Sequence, residues 1–353
     1  MKNRSIEVIR SGPMTLIQDF GRFGFEQYGV SVCGAVDQEA FFVANRLVSN
    51  SLKDAVFEIT FGDASFHFHD ESIISITGAD MQPELDGINC PMNLSFLAKN
   101  GSVLKFNPSV TGLRSYLAIS GGVLSTQIMG SRSMHVMSGF GNGPVKSGEI
   151  FNIGESRVYE SGFSIKDYSR GFPDNPVSIG VILGPQDHLF TKESLDEFFS
   201  STYVLTNQSD RQGLRLSGNK IPTKTGNHDI VSDPVTNGSI QIPGDGNPIV
   251  LLSDRQTTGG YPKIGTVATV DLSVLGQLKV NDSIIFHPVE PDDARERYIK
   301  KLGLINNSPL FNPIQRINYF VDGQHVKVGT NESTVFIDEH ALPFNVLEEN
   351  DEH

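Results

Sequence analysis

The sequence predicts a mainly β protein: two strand-rich halves, a few short helices and a small C-terminal appendage. Three observations carry this reading. Short stretches with apolar and polar residues in alternation recur along the chain, each bounded by Gly, Pro, Asn or Asp. The 353 residues include 35 Gly and 18 Pro, a content that favours many turns. Helical spacing of apolar residues is confined to three segments.

In chain order, the strand candidates are residues 5–9, 64–68, 73–77, 103–106, 115–120, 179–183, 239–242, 249–252, 267–272 and 284–287. The first helix candidate is 38–48. Asp37 is placed as its N-cap, and Phe41, Ala44, Leu47 and Val48 form one apolar stripe. The others are 189–199 and 292–302. Tyr168-Ser-Arg-Gly-Phe-Pro-Asp-Asn-Pro176 is polar and punctuated by Gly and Pro, so it marks the junction between the halves. The expected units are 1–170, 171–290, and 291–353, the last holding a helix, a hairpin with an Asp322-Gly323 turn, and an acidic tail.

The charge balance excludes several partners. A net charge of −13 argues against nucleic acid and against an anionic membrane surface, both of which need clustered Lys and Arg. No apolar run approaches the ~18 residues of a membrane span, and the first residues do not resemble a secretion signal, so a cytoplasmic location is expected. Cys33 and Cys90 read as two reduced thiols. The chain has no phosphate loop of the G-x-x-x-x-G-K-[ST] type, no G-x-S-x-G elbow and no H-E-x-x-H, and Gly139-Phe-Gly-Asn-Gly-Pro144 lacks the third glycine of a dinucleotide fingerprint. His67 and His69 share one strand face, but the sequence supplies no third ligand, so no metal is expected.

Three segments go beyond generic β protein. The first is Thr15-Leu-Ile-Gln-Asp-Phe-Gly-Arg-Phe-Gly24, followed by Gly34-Ala-Val-Asp-Gln-Glu-Ala40 and Ala44-Asn-Arg-Leu-Val48. The second is Ser209-Asp-Arg-Gln-Gly-Leu-Arg-Leu-Ser-Gly218. The third runs from Gly238-Ser-Ile-Gln-Ile-Pro243 through Asp254-Arg-Gln-Thr-Thr-Gly-Gly-Tyr-Pro-Lys-Ile264. An Asp-Arg-Gln element recurs in the last two, a weak internal echo. In order and spacing, the three resemble the allophanate hydrolase subunit 2 family, which includes the C-type subunit of 5-oxoprolinase and one half of the urea carboxylase carboxyltransferase domain.

The resemblance implies two cyclophilin-like β-barrel subdomains. It implies a subunit of an ATP-dependent 5-oxoprolinase, turning 5-oxoproline into glutamate with a subunit 1-like partner (the B-type subunit of 5-oxoprolinase) and a third, lactam-hydrolase chain. ATP would bind on or with those partners, and the isolated chain would be inactive. The alternatives it implies are a carboxyltransferase half of a biotin-dependent urea or amide carboxylase, and a non-catalytic regulator paired with a kinase inhibitor. The chain has no Met-Lys-Met sequence, so biotin would arrive on another chain.

Both candidate reactions build negative charge on an oxygen attached to planar carbon, which calls for fixed donors and cations. Asp254 to Lys263 concentrates such groups, with Gly259-Gly260 allowing close backbone approach. Lys263 is expected to be the cation, Tyr261 a donor beside it, and Asp254 the residue that orders the loop. Gln256, Thr257 and Thr258 are placed as substrate-binding groups. Arg22 and Arg211 are expected either to clamp a carboxylate or to tie loops together, each with a neighbouring Asp19 or Asp210. Asp245 is a further binding candidate. However, the strand after it would span ~17 Å at ~3.3 Å per residue and would place it at the other end of a barrel from Asp254, where a plain turn is the simpler reading.

Overall fold

A computed structural model describes residues 4–343 apart from 142, 167, 173, 312–314, 322–323, 331–333 and 338–339; beyond residue 310 it describes the backbone alone. The mainly β reading holds. In the first half, two sheets face each other. One has seven strands in the order Val123–Leu124, Ile150–Ile153, Ser5–Ser11, Ala64–Phe68, Val103–Phe106, Glu84–Leu85, Ile88–Asn89. The other has five: Met14–Gln18, Val56–Thr60, Thr111–Ile119, Ser72–Asp80, Ser95–Ala98. The alternation seen in the sequence turns Ile6, Val8, Phe66, Phe68 and Phe106 from the first sheet onto Phe57, Ile74, Ile76 and Phe96 from the second, which seals the core.

The second half is a closed barrel. Its strands run Val177–Leu183, Lys263–Val267, Ser239–Gln241, Ile249–Leu251, Gly213–Ser217, Thr202–Leu205 and Ser283–Pro288. The parallel pairing of Val177–Leu183 with Ser283–Pro288 completes the ring, so the barrel keeps no open edge. Ile179, Val181, Tyr203, Leu216, Ile240, Val250, Ile264 and Phe286 fill it.

Helix α1 (Gln38–Leu47) starts where expected, the Asp37 carboxylate accepting from the Ala40 amide at 3.0 Å. It lies on the outer face of the five-stranded sheet, with Phe41, Ala44 and Leu47 against Ile73, Tyr116 and Ala118. Helix α2 (Lys192–Ser200) begins three residues later than the apolar spacing suggested, because Thr191 caps it through the Ser194 amide. The expected strand at 267–272 is corrected: the strand ends at Val267, Thr269–Asp271 is a single 3-10 turn, and helix α3 (Leu272–Leu275) follows. A short apolar run has no period long enough to separate strand from helix, and the Asp271 carboxylate, bound to the Gly180 amide at 2.9 Å, fixes the turn. Helix α4 (Pro291–Asn307) is longer than predicted and sends Ile305 into the α1 cluster.

The junction is pinned at several points. Tyr168 donates to Glu39 at 3.2 Å, and Arg170 pairs with Asp37 at 2.6 Å and donates to the Ser273 carbonyl at 3.3 Å. The C-terminal hairpin forms from Gln315–Val321 and Gln324–Thr330, within a four-stranded sheet. Its Asp322-Gly323 turn lies outside the described residues, as does most of the acidic tail.

Candidate functional site

The three motifs meet where the halves touch. Asp19 and Asp210 do not pair with the arginines beside them in sequence. Asp19 accepts from the Gly21 amide (2.8 Å), the Ser131 and Ser133 hydroxyls (2.6 Å each) and the Arg132 amide (2.6 Å). Arg22, 1 % exposed, donates to the Ser133 carbonyl and to Cys33 Sγ at 3.1 Å, and stacks over Phe140. Asp210 caps its own turn through the Gln212 amide at 2.7 Å.

Arg211 instead reaches across the chain. Its Nε and Nη2 grip Asp254 in a fork, 2.9 Å each; Nη1 meets Glu58, and Nη2 donates to the Gly34 carbonyl at 2.7 Å. Burial opposes the Arg211 charge, but the Asp254 and Glu58 carboxylates outweigh it and raise its pKa above the ordinary value. Glu58 also accepts from the Tyr116 hydroxyl (2.8 Å) and the Val36 amide (3.0 Å). Arg114 donates to the Gly276 carbonyl at 2.6 Å, but its Nε lies 3.8 Å from Glu58; there burial prevails and its pKa falls. Gln277 closes the seam, donating to Asp37 at 2.5 Å and accepting from the Leu113 and Arg114 amides. Burial, with the Asp254 charge, pushes the Cys33 thiol up to about 12, against the pull of Arg22; it is a packed thiol and no ready nucleophile.

Lys263 is not the free cation that the sequence suggested. It points off its strand, 2 % exposed, with its ammonium on the Asp233 carboxylate and 3.1 Å from the Pro234 carbonyl. The hydrogen bonds from Lys263 and Gln186 hold the Asp233 carboxyl below its usual range. This pair secures a small two-stranded sheet in which Asp233–Pro234 runs against Thr258–Gly259, and the Thr257 carbonyl accepts from the Val235 amide. Thr257 and Thr258 are therefore placed in that sheet. Asp245 sits on an exposed turn, bound to Asn247 at 3.1 and 3.0 Å.

Tyr261 and Gln256 do converge, in a polar cavity of about 190 Å³ on the outer face of the barrel, over the adjacent strands Gly213–Ser217, Ile249–Leu251 and Ser239–Gln241. Asp210, Arg215, Gln241 and Pro243 line it with them. Gln241 is 2 % exposed, and its Nε2 has no hydrogen-bond partner. A Cβ on Gly259 would stand 2.3 Å from that nitrogen, so a larger residue there would push the end of the Gln241 side chain aside. A larger cavity, about 730 Å³, lies beside α4, but Lys301–Glu39 and Arg297–Asp271 satisfy most of its charges internally and fewer free donors converge there.

The family model for the carboxyltransferase domain, subdomain A and B, matches residues 28–288. The chain belongs to that family. It is 34% identical to the C-type subunit of 5-oxoprolinase of Escherichia coli over 307 residues, covering 84% of this chain and 97% of that protein. It is 31% identical to urea amidolyase of Saccharomyces cerevisiae over 317 residues, which are 82% of this chain but 17% of that one. Among solved structures, urea amidolyase of K. lactis superposes with a TM-score of 0.81 at 25% identity, over 98% of this chain and 23% of the other.

Within this carboxyltransferase-family chain, sequence reasoning missed Glu58, Arg114, Tyr116 and Gln277, whose partners are remote in sequence. It also passed over Arg215 and Gln241. Both lie inside quoted motifs, Gln241 between Ile240 and Ile242, and a polar side chain between two apolar ones was the available signal.

Proposed function

We infer that the chain is the C-type subunit of an ATP-dependent 5-oxoprolinase, working in the cytoplasm with a B-type partner and a lactam-hydrolase chain. The observation that carries this is the match to the E. coli protein across 97% of its length. Substrate binding is assigned to the barrel cavity. Arg215 supplies a positive charge for the 5-oxoproline carboxylate, while Gln241 Nε2, Gln256 and the Tyr261 hydroxyl stand as donors for the lactam carbonyl as it gains negative charge. A buried donor left without a partner costs ~1–3 kcal/mol, and a bound carbonyl would recover it. At about 190 Å³ the cavity is below the ~300–1,000 Å³ usual for drug-sized ligands and does not fit a nucleotide, so ATP is assigned to the partner chains and no step is placed on these residues.

A partner also suits the surface beside Arg22. Phe23, Tyr28 and Met137 are 51%, 73% and 72% exposed, on two loops that Arg22 joins through Ser133 and Phe140. Arg22, Arg211 and Asp254 then hold that face in shape, and Lys263 holds the two-stranded sheet beside the cavity.

The test is reconstitution. Co-expressed with the B-type and lactam-hydrolase chains, the protein should elute as one complex and release ADP in step with glutamate, whereas the chain alone should be inactive. Equal activity of the isolated chain would sink the reading. The carboxyltransferase alternative is favoured by the match to the carboxyltransferase family model and by the superposition on urea amidolyase over 98% of the chain. Carboxylation of a urea-like substrate with a biotinylated carrier, in place of lactam opening, would select it.

A further inference from the structure

The structure supplies the third ligand that the sequence lacked beside His67 and His69. Strand Ser5–Ser11 pairs antiparallel with Ala64–Phe68 in a register that sets Glu7 opposite His67. The buried Phe66 and Phe68 point into the core, so the two imidazoles stand together on the outer face with Glu7, each of the three side chains about one-third exposed (32%, 33% and 35%). Glu7 Oε2 is 3.7 Å from His67 Nδ1 and 3.4 Å from His69 Nε2, and the three donor atoms all lie within 4.8 Å of one another. His69 Nε2 makes no hydrogen bond. Donors bound tetrahedrally at ~2.0–2.1 Å from a zinc ion are ~3.3–3.5 Å apart, so the two Glu7 contacts already stand within a few tenths of an ångström of that spacing, and the imidazole nitrogens, no more than 4.8 Å apart, reach it by rotation of partly exposed side chains.

We propose that Glu7, His67 and His69 form a binding site for a divalent transition cation of the zinc class, with water in the remaining position. Two imidazole nitrogens and one carboxylate are borderline ligands that suit zinc, cobalt, nickel or copper and not magnesium or calcium, which take oxygen shells. Among the described residues, the other cluster of possible ligands, Cys33, His135 and Asp254, is the weaker candidate: the Arg211 guanidinium already holds both Asp254 oxygens, and Arg22 donates to Cys33, so two cations occupy the ground a metal would need. A metal at Glu7 would clamp the first strand to the Ala64–Phe68 strand, in the half of the molecule that does not contain the barrel cavity. This site stands apart from the 5-oxoprolinase reading.

The test is calorimetric titration of the full, untagged protein with zinc chloride, alongside thermal melts with and without zinc. One zinc ion per chain and a raised melting temperature are expected. His67→Ala, His69→Ala and Glu7→Gln should each weaken binding by at least ~10-fold, since loss of an outer-shell partner alone costs that much. No binding by the wild type, or binding of equal strength in both histidine variants, would overturn the proposal. Should a variant fail to fold, the cobalt spectrum of the wild type decides. Tetrahedral visible bands without a thiolate-to-cobalt charge-transfer band place the metal on nitrogen and oxygen; a thiolate band places it at Cys33 and sinks the proposal.

Discussion

The seam between the halves and the cavity on the outer face of the barrel are both built from polar side chains, yet they differ in one respect. At the seam the carboxylates are paired, although Arg114 Nε makes no hydrogen bond: Arg211 bridges Asp254 and Glu58, and Arg170 and Gln277 hold Asp37. In the cavity, Gln241 keeps a donor without a partner, and Tyr261 is 40% exposed. Full satisfaction in a buried network gives rigidity and register, whereas a preset unpaired donor costs stability and suits a ligand. The two motifs with Asp-Arg-Gln each do both kinds of work: Asp210 to Arg215 and Asp254 to Tyr261 each send one group to the seam and another to the cavity.

The sharpest way to break this comparison is Arg211→Met, which strands two buried carboxylates. It should cost ~3–5 kcal/mol in denaturant unfolding. A loss below ~1 kcal/mol would mean that the seam is not a structural network. Next in size, Arg215→Met should lower kcat/KM of the assembled complex by ~10- to 100-fold, the worth of one charge-assisted contact, while stability moves by no more than ~0.5 kcal/mol. If stability collapses and the kinetics of the folded fraction are normal, Arg215 belongs to the scaffold.

Lys263→Met separates the two roles from the other side. Its partner Asp233 has a side chain 43% exposed and can be rehydrated, so the loss of stability should be clearly smaller than for Arg211→Met, and turnover should fall only as far as the two-stranded sheet loosens. A large drop in turnover with unchanged unfolding would restore Lys263 as a reacting group.

The smallest expected effect is a pH dependence. With the Cys33 thiol raised to about 12 from 9.0, the native state keeps its proton where the unfolded chain loses it, so its contribution to stability is intact below pH 9 and is lost as pH rises towards 12. Cys33→Ser should flatten that alkaline limb of the unfolding curve, and native Cys33 should resist alkylation at about pH 8.

Much of the fold was legible because it is local. Period-two alternation named the strands at 64–68 and 103–106 to the residue, and Asp37 announced α1 because a cap acts within three residues. The three motifs marked the right segments. What they could not give was the pairing. Adjacent charges such as Asp210 and Arg211 look like partners in a linear chain, but Asp210 turned to its own backbone and Arg211 to residues 43 and 153 positions away.

The sequence by itself determined most of the elements and the family likeness. Only the tertiary structure decided which polar groups are spent on one another and which are left unpaired. It buried Lys263 against Asp233, left Gln241 Nε2 unpaired, and set Glu7 beside His67 and His69. The reason is range: caps, turns and side-chain alternation depend on neighbours a few bonds apart, whereas hydrogen-bond and charge satisfaction depend on strand register and on the docking of the two halves, which no local pattern encodes.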